Sequence, residues 1–182
     1  MTRSLWIILL ASAVFYLSAC VEQQQTNQVD CQEEKVCFEK GEDYFLNYKD
    51  YTQAKIYYEK AAEQGYAEAQ NRLGIMYSSS SYGLEINYTK AKEYFEQAAE
   101  QGLKQAQFNL GNMYKYGKGV PQDYSQTIKW YKKAAEQGAA PAQYGLGDMY
   151  AKGLGVEKDL SQAQVYLKQA CQNNYLLACQ KQ

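Results

Sequence analysis

The chain has 182 residues, 46% of them hydrophobic, which is enough to bury a core and argues against wholesale disorder. A formal net charge of −1 offers no basic field for nucleic-acid phosphates, so no nucleic-acid partner is expected. There is no histidine, which removes the commonest general base near neutral pH and the commonest zinc ligand. Any catalysis would fall to Asp, Glu, Lys, Ser, Tyr or Cys.

The chain opens with Arg3 and an apolar run from Leu5 to Leu17 that includes Trp6, Ile7, Ile8, Leu9, Leu10, Val14 and Phe15. As a helix this run reaches roughly 20 Å, short of the ~30 Å hydrocarbon core, so it reads as a secretory signal and not as a membrane span. It ends in Leu17-Ser18-Ala19-Cys20, which resembles the lipobox of bacterial lipoproteins. That resemblance implies cleavage before Cys20, diacylglycerol on its thiol and acylation of the new amino group. Several acyl chains, at about 0.8 kcal/mol per buried CH₂, would make the anchor permanent. Val21 stands where an Asp would signal retention, so the resemblance implies an outer-membrane lipoprotein facing the periplasm. Residues 1–19 are thus expected to be a signal peptide and 20–33 a lipid-anchored tether. Residues 21–30 have no periodic apolar positions and read as flexible.

From residue 34 onward the sequence repeats itself. Ala61-Ala62-Glu63-Gln64-Gly65 returns as residues 98–102 and 134–138. Each copy leads into a second phrase, such as Ala106-Gln107-Phe108-Asn109-Leu110-Gly111-Asn112-Met113-Tyr114. Its alanine matches Ala69 and Ala142, at spacings of 37 and 36 residues. An earlier, degenerate copy carries Gly41 and Tyr44 in the same register, and a truncated one closes the chain at Tyr175-Leu176-Leu177-Ala178-Cys179.

Each unit reads as two helices. In the first, Ala106, Leu110, Met113 and Tyr114 form one apolar stripe. Gly111 within it costs about 1 kcal/mol against alanine, and its return as Gly41, Gly74 and Gly147 predicts a neighbouring helix too close for a side chain. The second helix is predicted to start at Asp50, Asn87, Asp123 or Asp159 as N-cap, with Gln53, Gln126 and Gln162 at N3. It should end at Gly65, Gly102 or Gly138 in the left-handed C′ position, a place Asn174 takes in the last copy. Tyr124, Thr127, Trp130, Tyr131 and Ala134 are its expected buried stripe. One such pair cannot bury both faces, so copies must stack.

With the loop Gly117-Lys118-Gly119-Val120-Pro121 and its partner Gly153-Leu154-Gly155-Val156, the pattern resembles the Sel-1-like repeat, a relative of the tetratricopeptide repeat. The resemblance covers residues 34–182 and implies an all-α, α/α solenoid of about four helix pairs. The first copy lacks the glycine loop, with six steps from Tyr44 to Asp50 where Tyr114 to Asp123 takes nine. The second replaces it with Ser78-Ser79-Ser80-Ser81-Tyr82-Gly83-Leu84, whose serine run is expected to be the most mobile and most variable loop. Cys171 and Cys179 match Ala135 and Gln143, and Cys37 shares the register of Cys179. This spacing resembles cysteine-rich Sel-1-like proteins, which implies disulfides Cys31–Cys37 and Cys171–Cys179. Metal binding by the four thiolates is disfavoured because the pairs fall at opposite ends of the stack. No metal or cofactor is expected.

For function, the resemblance implies an envelope scaffold that holds another protein or peptide on the concave side lined by the first helices. Positions there that differ between copies are the candidate contacts: Asn71, Phe108 and Tyr144 in one column, Ile75, Asn112 and Asp148 in another, with Lys115 beside them. Phe108 and Tyr144 are expected either to form a continuous aromatic strip or to pack helix against helix. A periplasmic immunity protein that neutralises a secreted toxin is an alternative. So is a β-lactam-binding or hydrolysing protein, although Ser-x-x-Lys, Ser-Asp-Asn and Lys-Thr-Gly are all missing. Glu63, Glu100 and Glu136 recur at one helix-end position and read as solvated. No catalytic residue is assigned.

Overall fold

The computed structural model describes residues 31–180; the lipid-attachment candidate Cys20, the expected signal peptide over residues 1–19 and residues 21–30 lie outside the described residues. In chain order the helices are α1 (Glu34–Asp43, continued by a π turn at Tyr44–Tyr48), α2 (Tyr51–Glu63), α3 (Ala67–Tyr77), α4 (Tyr88–Glu100), α5 (Lys104–Tyr116), α6 (Tyr124–Glu136), α7 (Ala140–Lys152), α8 (Leu160–Gln172) and α9 (Leu176–Cys179). A 3₁₀ turn, Ser80–Tyr82, sits between α3 and α4. Odd and even helices pair within each copy, and each even helix then meets the next odd one. The fold is the all-α solenoid that the repeats imply.

The caps are local chemistry. Asp50, Asn87, Asp123 and Asp159 accept the backbone N–H of Gln53, Lys90, Gln126 and Gln162 at 2.9–3.0 Å. At the other end, φ is +94° at Gly65, +92° at Gly102, +77° at Gly138 and +64° at Asn174. The next residue in each case donates back to the alanine five positions earlier, Tyr66 to Ala61 and Leu103 to Ala98 for example. This is the Schellman arrangement, and it ties off carbonyls that would otherwise lack donors.

The connection inside each pair is closed by one shared bond. The N–H of Asp50, Asn87, Asp123 and Asp159 donates to the carbonyl of Tyr44, Tyr77, Tyr114 and Tyr150 at 2.8–3.0 Å, whatever the loop between them. The first copy manages its short connection with the π turn and Lys49 at φ +54°. In the third and fourth copies the loop leans on the previous even helix. A Cβ at Gly119 would lie 2.5 Å from Tyr88 Cβ, and one at Gly155 2.5 Å from Tyr124 Cβ. The serine loop of the second copy reaches the equivalent place with a ring: Tyr82 meets Tyr51 edge-on at 5.3 Å and Phe45 at 5.3 Å.

The recurring helical glycines meet neighbouring side chains as their recurrence predicts. A Cβ on Gly41 would sit 2.6 Å from Tyr58, on Gly74 2.5 Å from Phe95, on Gly111 2.5 Å from Tyr131 and on Gly147 2.9 Å from Leu167. Gly145 is a further site of this kind, 2.6 Å from the opposite edge of Tyr131. Ala106, Leu110 and Met113 are buried under the same contacts, as are Thr127, Trp130, Tyr131 and Ala134 on α6. Glu63, Glu100 and Glu136 are exposed.

Buried glutamines clamp successive copies. Gln70, Gln107 and Gln143 donate to the carbonyls of Ala62, Ala99 and Ala135 at 3.4, 3.2 and 3.1 Å. Each also accepts from the C-cap amide of its own copy's even helix, Gln101, Gln137 and Asn173, at 2.8–2.9 Å. The two disulfides are Cys31–Cys37 and Cys171–Cys179. Cys31 is buried and bonded, so the folded body includes it, three residues ahead of the boundary drawn at Glu34.

Tyr131 is held by Gly111 on one edge and Gly145 on the other, so its ring has no direction in which to retreat. Gly111→Ala should therefore cost about 1–3 kcal/mol by overpacking. Thermal melting would register a drop of several degrees, and an unchanged midpoint would mean the ring finds room.

Candidate functional site

The odd helices carry the columns that differ between copies. Phe108, Asn112, Lys115, Tyr144 and Asp148 are all half-buried, whereas Asn71 is 8% exposed. Three of the α5 residues converge on a single ring of α6. Phe108 stacks on Tyr131 at 5.3 Å, Asn112 accepts the Tyr131 hydroxyl at 2.5 Å, and the Lys115 ammonium lies 6.0 Å from the same ring centre. Their spacing of four and then three residues puts them on one face of α5. Tyr144 turns instead to Tyr175, 5.1 Å away at the start of α9. The two rings therefore serve different neighbours, Phe108 leaning inward on Tyr131 and Tyr144 on the last copy. Asp148 pairs with Lys152 at 2.8 Å, and Asn71 accepts from Asn109 at 2.9 Å across the α3–α5 contact.

The column of Ile75, Asn112 and Asp148 has a fourth member, Glu42, and an internal explanation. Glu42 accepts the Tyr58 hydroxyl at 2.5 Å and holds Arg72 in a two-pronged pair at 2.7 Å for each prong. Tyr58, Phe95, Tyr131 and Leu167 occupy one position of the even helices. Where that residue ends in a hydroxyl, the odd helix supplies an acceptor, Glu42 or Asn112. Where it is Phe95, the odd helix supplies Ile75. Burial raises the pKa of both hydroxyls, reinforced at Tyr58 by the Glu42 carboxylate and at Tyr131 by nearby Tyr116. Both phenols thus stay protonated and donate. Reading the columns one helix at a time misses this coupling; comparing the two positions across copies reveals it.

No buried side-chain nitrogen or oxygen among the described residues lacks a partner. The same residues hold no cluster of three metal-ligating side chains. What the odd-helix side offers is shape, several cations beside rings, and recesses, one along α1 lined by Val36, Lys40, Tyr44 and Tyr57 and another beside Phe108. The recess beside Phe108, about 280 Å³, opens between Phe108 and Gln105 on α5 and Ala139 and Pro141 at the start of α7.

Sequence comparison places this geometry. The Sel1 repeat profile matches residues 36–66, 67–103, 104–138 and 140–175. The chain belongs to the Sel1 repeat family. Among solved structures it is similar to a protective antigen of uropathogenic Escherichia coli, at 36% identity and a TM-score of 0.77, over 90% of this chain and 34% of that one. A Sel1 repeat protein of Oxalobacter formigenes matches at 33% identity and a TM-score of 0.72, over 78% of this chain and 57% of that one. Cysteine rich protein B of Helicobacter pylori matches at 27% identity and a TM-score of 0.57, covering 70% and 96%. This chain thus spans about a third of the first of these proteins and little more than half of the second. No curated protein matches it. Sel1 repeats generally mediate protein–protein contact, and the family is mainly a non-enzymatic scaffold.

The coupling between columns can be tested by a double-mutant cycle. Asn112→Ile alone leaves the buried Tyr131 hydroxyl without its acceptor and should cost about 1–3 kcal/mol. Adding Tyr131→Phe recreates the Ile75–Phe95 pair of the second copy and should recover most of that loss. Denaturant melts of the four proteins decide it; strictly additive changes would show that the hydroxyl has another partner.

Proposed function

We propose that this protein is exported, anchored in the cell envelope by lipid on Cys20, and holds a protein or peptide partner on the face formed by α1, α3, α5 and α7. One observation carries the reading: positions that build the stack are nearly the same from copy to copy, while several half-buried positions on the odd helices are not. Gln70, Gln107 and Gln143 are identical, as are Leu73, Leu110 and Leu146 and also Met76, Met113 and Met149, and all are buried. Phe108 against Tyr144, Lys115 against Ala151 and Asn112 against Asp148 differ. A scaffold keeps its stacking residues uniform and leaves its working surface free to specialise. Part of that freedom is taken up internally, because Asn112 answers to Tyr131. Lys115 and Asp148 carry charges at the surface and are the better contact candidates.

The lipobox supports the anchor, and two bonded cysteine pairs suit an oxidising compartment. Cys20→Ala should lose incorporated palmitate label and leave the membrane fraction. Equal labelling of both proteins would overturn the anchor.

For the binding face, a photo-cross-linking residue can be placed at Lys115 or Asp148 and, for comparison, at the exposed even-helix positions Glu93 and Lys129. Partner adducts are expected from the first two sites. Adducts confined to Glu93 and Lys129, or none from any site, would sink the assignment.

A further inference from the structure

The recess beside Phe108 exists because its pairing lacks a ring that the first and last pairings possess. The residue that opens each odd helix after α1 is Tyr66, Leu103, Ala139 or Tyr175, and the residue at the corresponding register of the preceding odd helix is Phe38, Asn71, Phe108 or Tyr144. In the first pairing Phe38 and Tyr66 lie 5.1 Å apart with planes tilted by 44°. In the last, Tyr144 and Tyr175 lie 5.1 Å apart and tilted by 43°. The third pairing sets Phe108 against Ala139. Phe108 stays in place, stacked on Tyr131, but the ring that would cover its other side is reduced to a methyl group. The following residues, Ala140 and Pro141, are compact too. The result is the cavity of about 280 Å³, bounded also by Asn173 at the end of α8.

The walls of this cavity are tied by polar bonds that do not depend on an occupant. Gln137 donates to the Gly102 carbonyl at 2.8 Å and to Gln107 at 2.9 Å, and its own carbonyl accepts from Lys104 at 3.4 Å. Asn173 donates to Gln143 at 2.9 Å. A recess held open in this way can take a guest without first reorganising, which favours binding. Its floor is an aromatic face, which prefers a second ring in the tilted arrangement that the first and last copies already show.

Resting on the partner-binding reading above, we infer that the cavity between Phe108 and Ala139 is a socket for one aromatic side chain of the partner protein. That ring seats against Phe108 as Tyr66 seats against Phe38 and as Tyr175 seats against Tyr144. The partner completes the aromatic pair that the third copy leaves open.

The probe is N-acetyl-tyrosine amide, titrated into the ¹⁵N-labelled full chain in detergent micelles, with N-acetyl-leucine amide for comparison. The tyrosine amide should move the Gln105, Gly138, Ala139 and Ala140 amide signals saturably, and the leucine amide should not. Ala139→Tyr supplies the missing ring from within and should abolish those shifts while keeping or raising the melting temperature. Ala139→Leu copies Leu103 of the second pairing, so it suits the fold and should also block the probe. If Ala139→Tyr does not fold, Ala139→Leu decides the matter in its place. Absence of saturable shifts in the parent chain, or shifts that persist in a folded variant, would overturn the socket. Cross-links at Lys115 combined with a silent socket would overturn the socket alone. A responsive socket without cross-links would overturn the odd-helix partner face alone.

Discussion

A glycine pressed against a ring sets the spacing of this solenoid. Gly41, Gly74 and Gly111 each leave less than 3 Å between a would-be Cβ and the ring of Tyr58, Phe95 or Tyr131. A mid-helix glycine costs about 1 kcal/mol against alanine. Complete burial of an aromatic side chain contributes about 1.5–3 kcal/mol, so the exchange favours the glycine. The same contact fixes how far the odd and even helices of a pair stand apart. In the last pair Gly147 meets Leu167, a smaller side chain, and the nearest approach loosens to 2.9 Å. Tyr131 adds Gly145 of the next copy to its contacts, so one residue joins spacing within a pair to spacing between pairs.

Once the ring depth is fixed, the ring tip reaches the surface column one residue beyond the glycine. A hydroxyl arriving there needs an acceptor, and Glu42 and Asn112 provide it. A ring without a hydroxyl makes no such demand, and Ile75 stands opposite Phe95. Variation on the odd-helix face therefore has two sources. Some of it answers to the core, as at Glu42, Ile75 and Asn112, and says nothing about a partner. Lys115 lies 5.4 Å from the Tyr116 ring on its own helix and 6.0 Å from Tyr131, and Asp148 pairs with Lys152 on its own helix, in a copy where Leu167 takes the place of Tyr131. Differences at those positions carry no comparable internal demand.

The repeat register, helix caps, left-handed C′ residues and close-approach glycines were legible in the sequence because each is a local or periodic property. Asn174 is the clearest case: register alone makes it a substitute for glycine, and it adopts φ +64°. Contacts between copies were harder to see. Tyr82 was hidden in a serine run expected to be mobile. Its partners, Phe45 and Tyr51, belong to the preceding copy, and Ser79 additionally caps the turn by accepting from Ser81. Phe108 and Tyr144 share a column and looked alike, yet one leans on Tyr131 and the other on Tyr175. Which neighbour a ring chooses depends on what the next copy presents, Ala139 in one case and Tyr175 in the other. Column patterns on a single helix do not contain that information.

The ends of the stack obey the same logic with different chemistry. Inside, each buried glutamine needs a carbonyl from the copy before and an amide from the even helix of its own copy. At α1 there is no preceding helix among the described residues to offer that carbonyl. Cys37 takes the glutamine position, keeps the amide contact through Gln64 at 3.7 Å, and replaces the missing partner with a covalent bond to Cys31. At α8 the following helix, α9, has one turn among the described residues. Cys171 stands where Ala135 gives its carbonyl, Cys179 where Gln143 donates, and the disulfide joins the two positions that a hydrogen bond joins elsewhere. A net hydrogen bond contributes about 0.5–1.5 kcal/mol, and a disulfide closing so short a loop about 2–3 kcal/mol. Among the described residues, the stronger link therefore stands at the two positions where a glutamine clamp stands in the other copies.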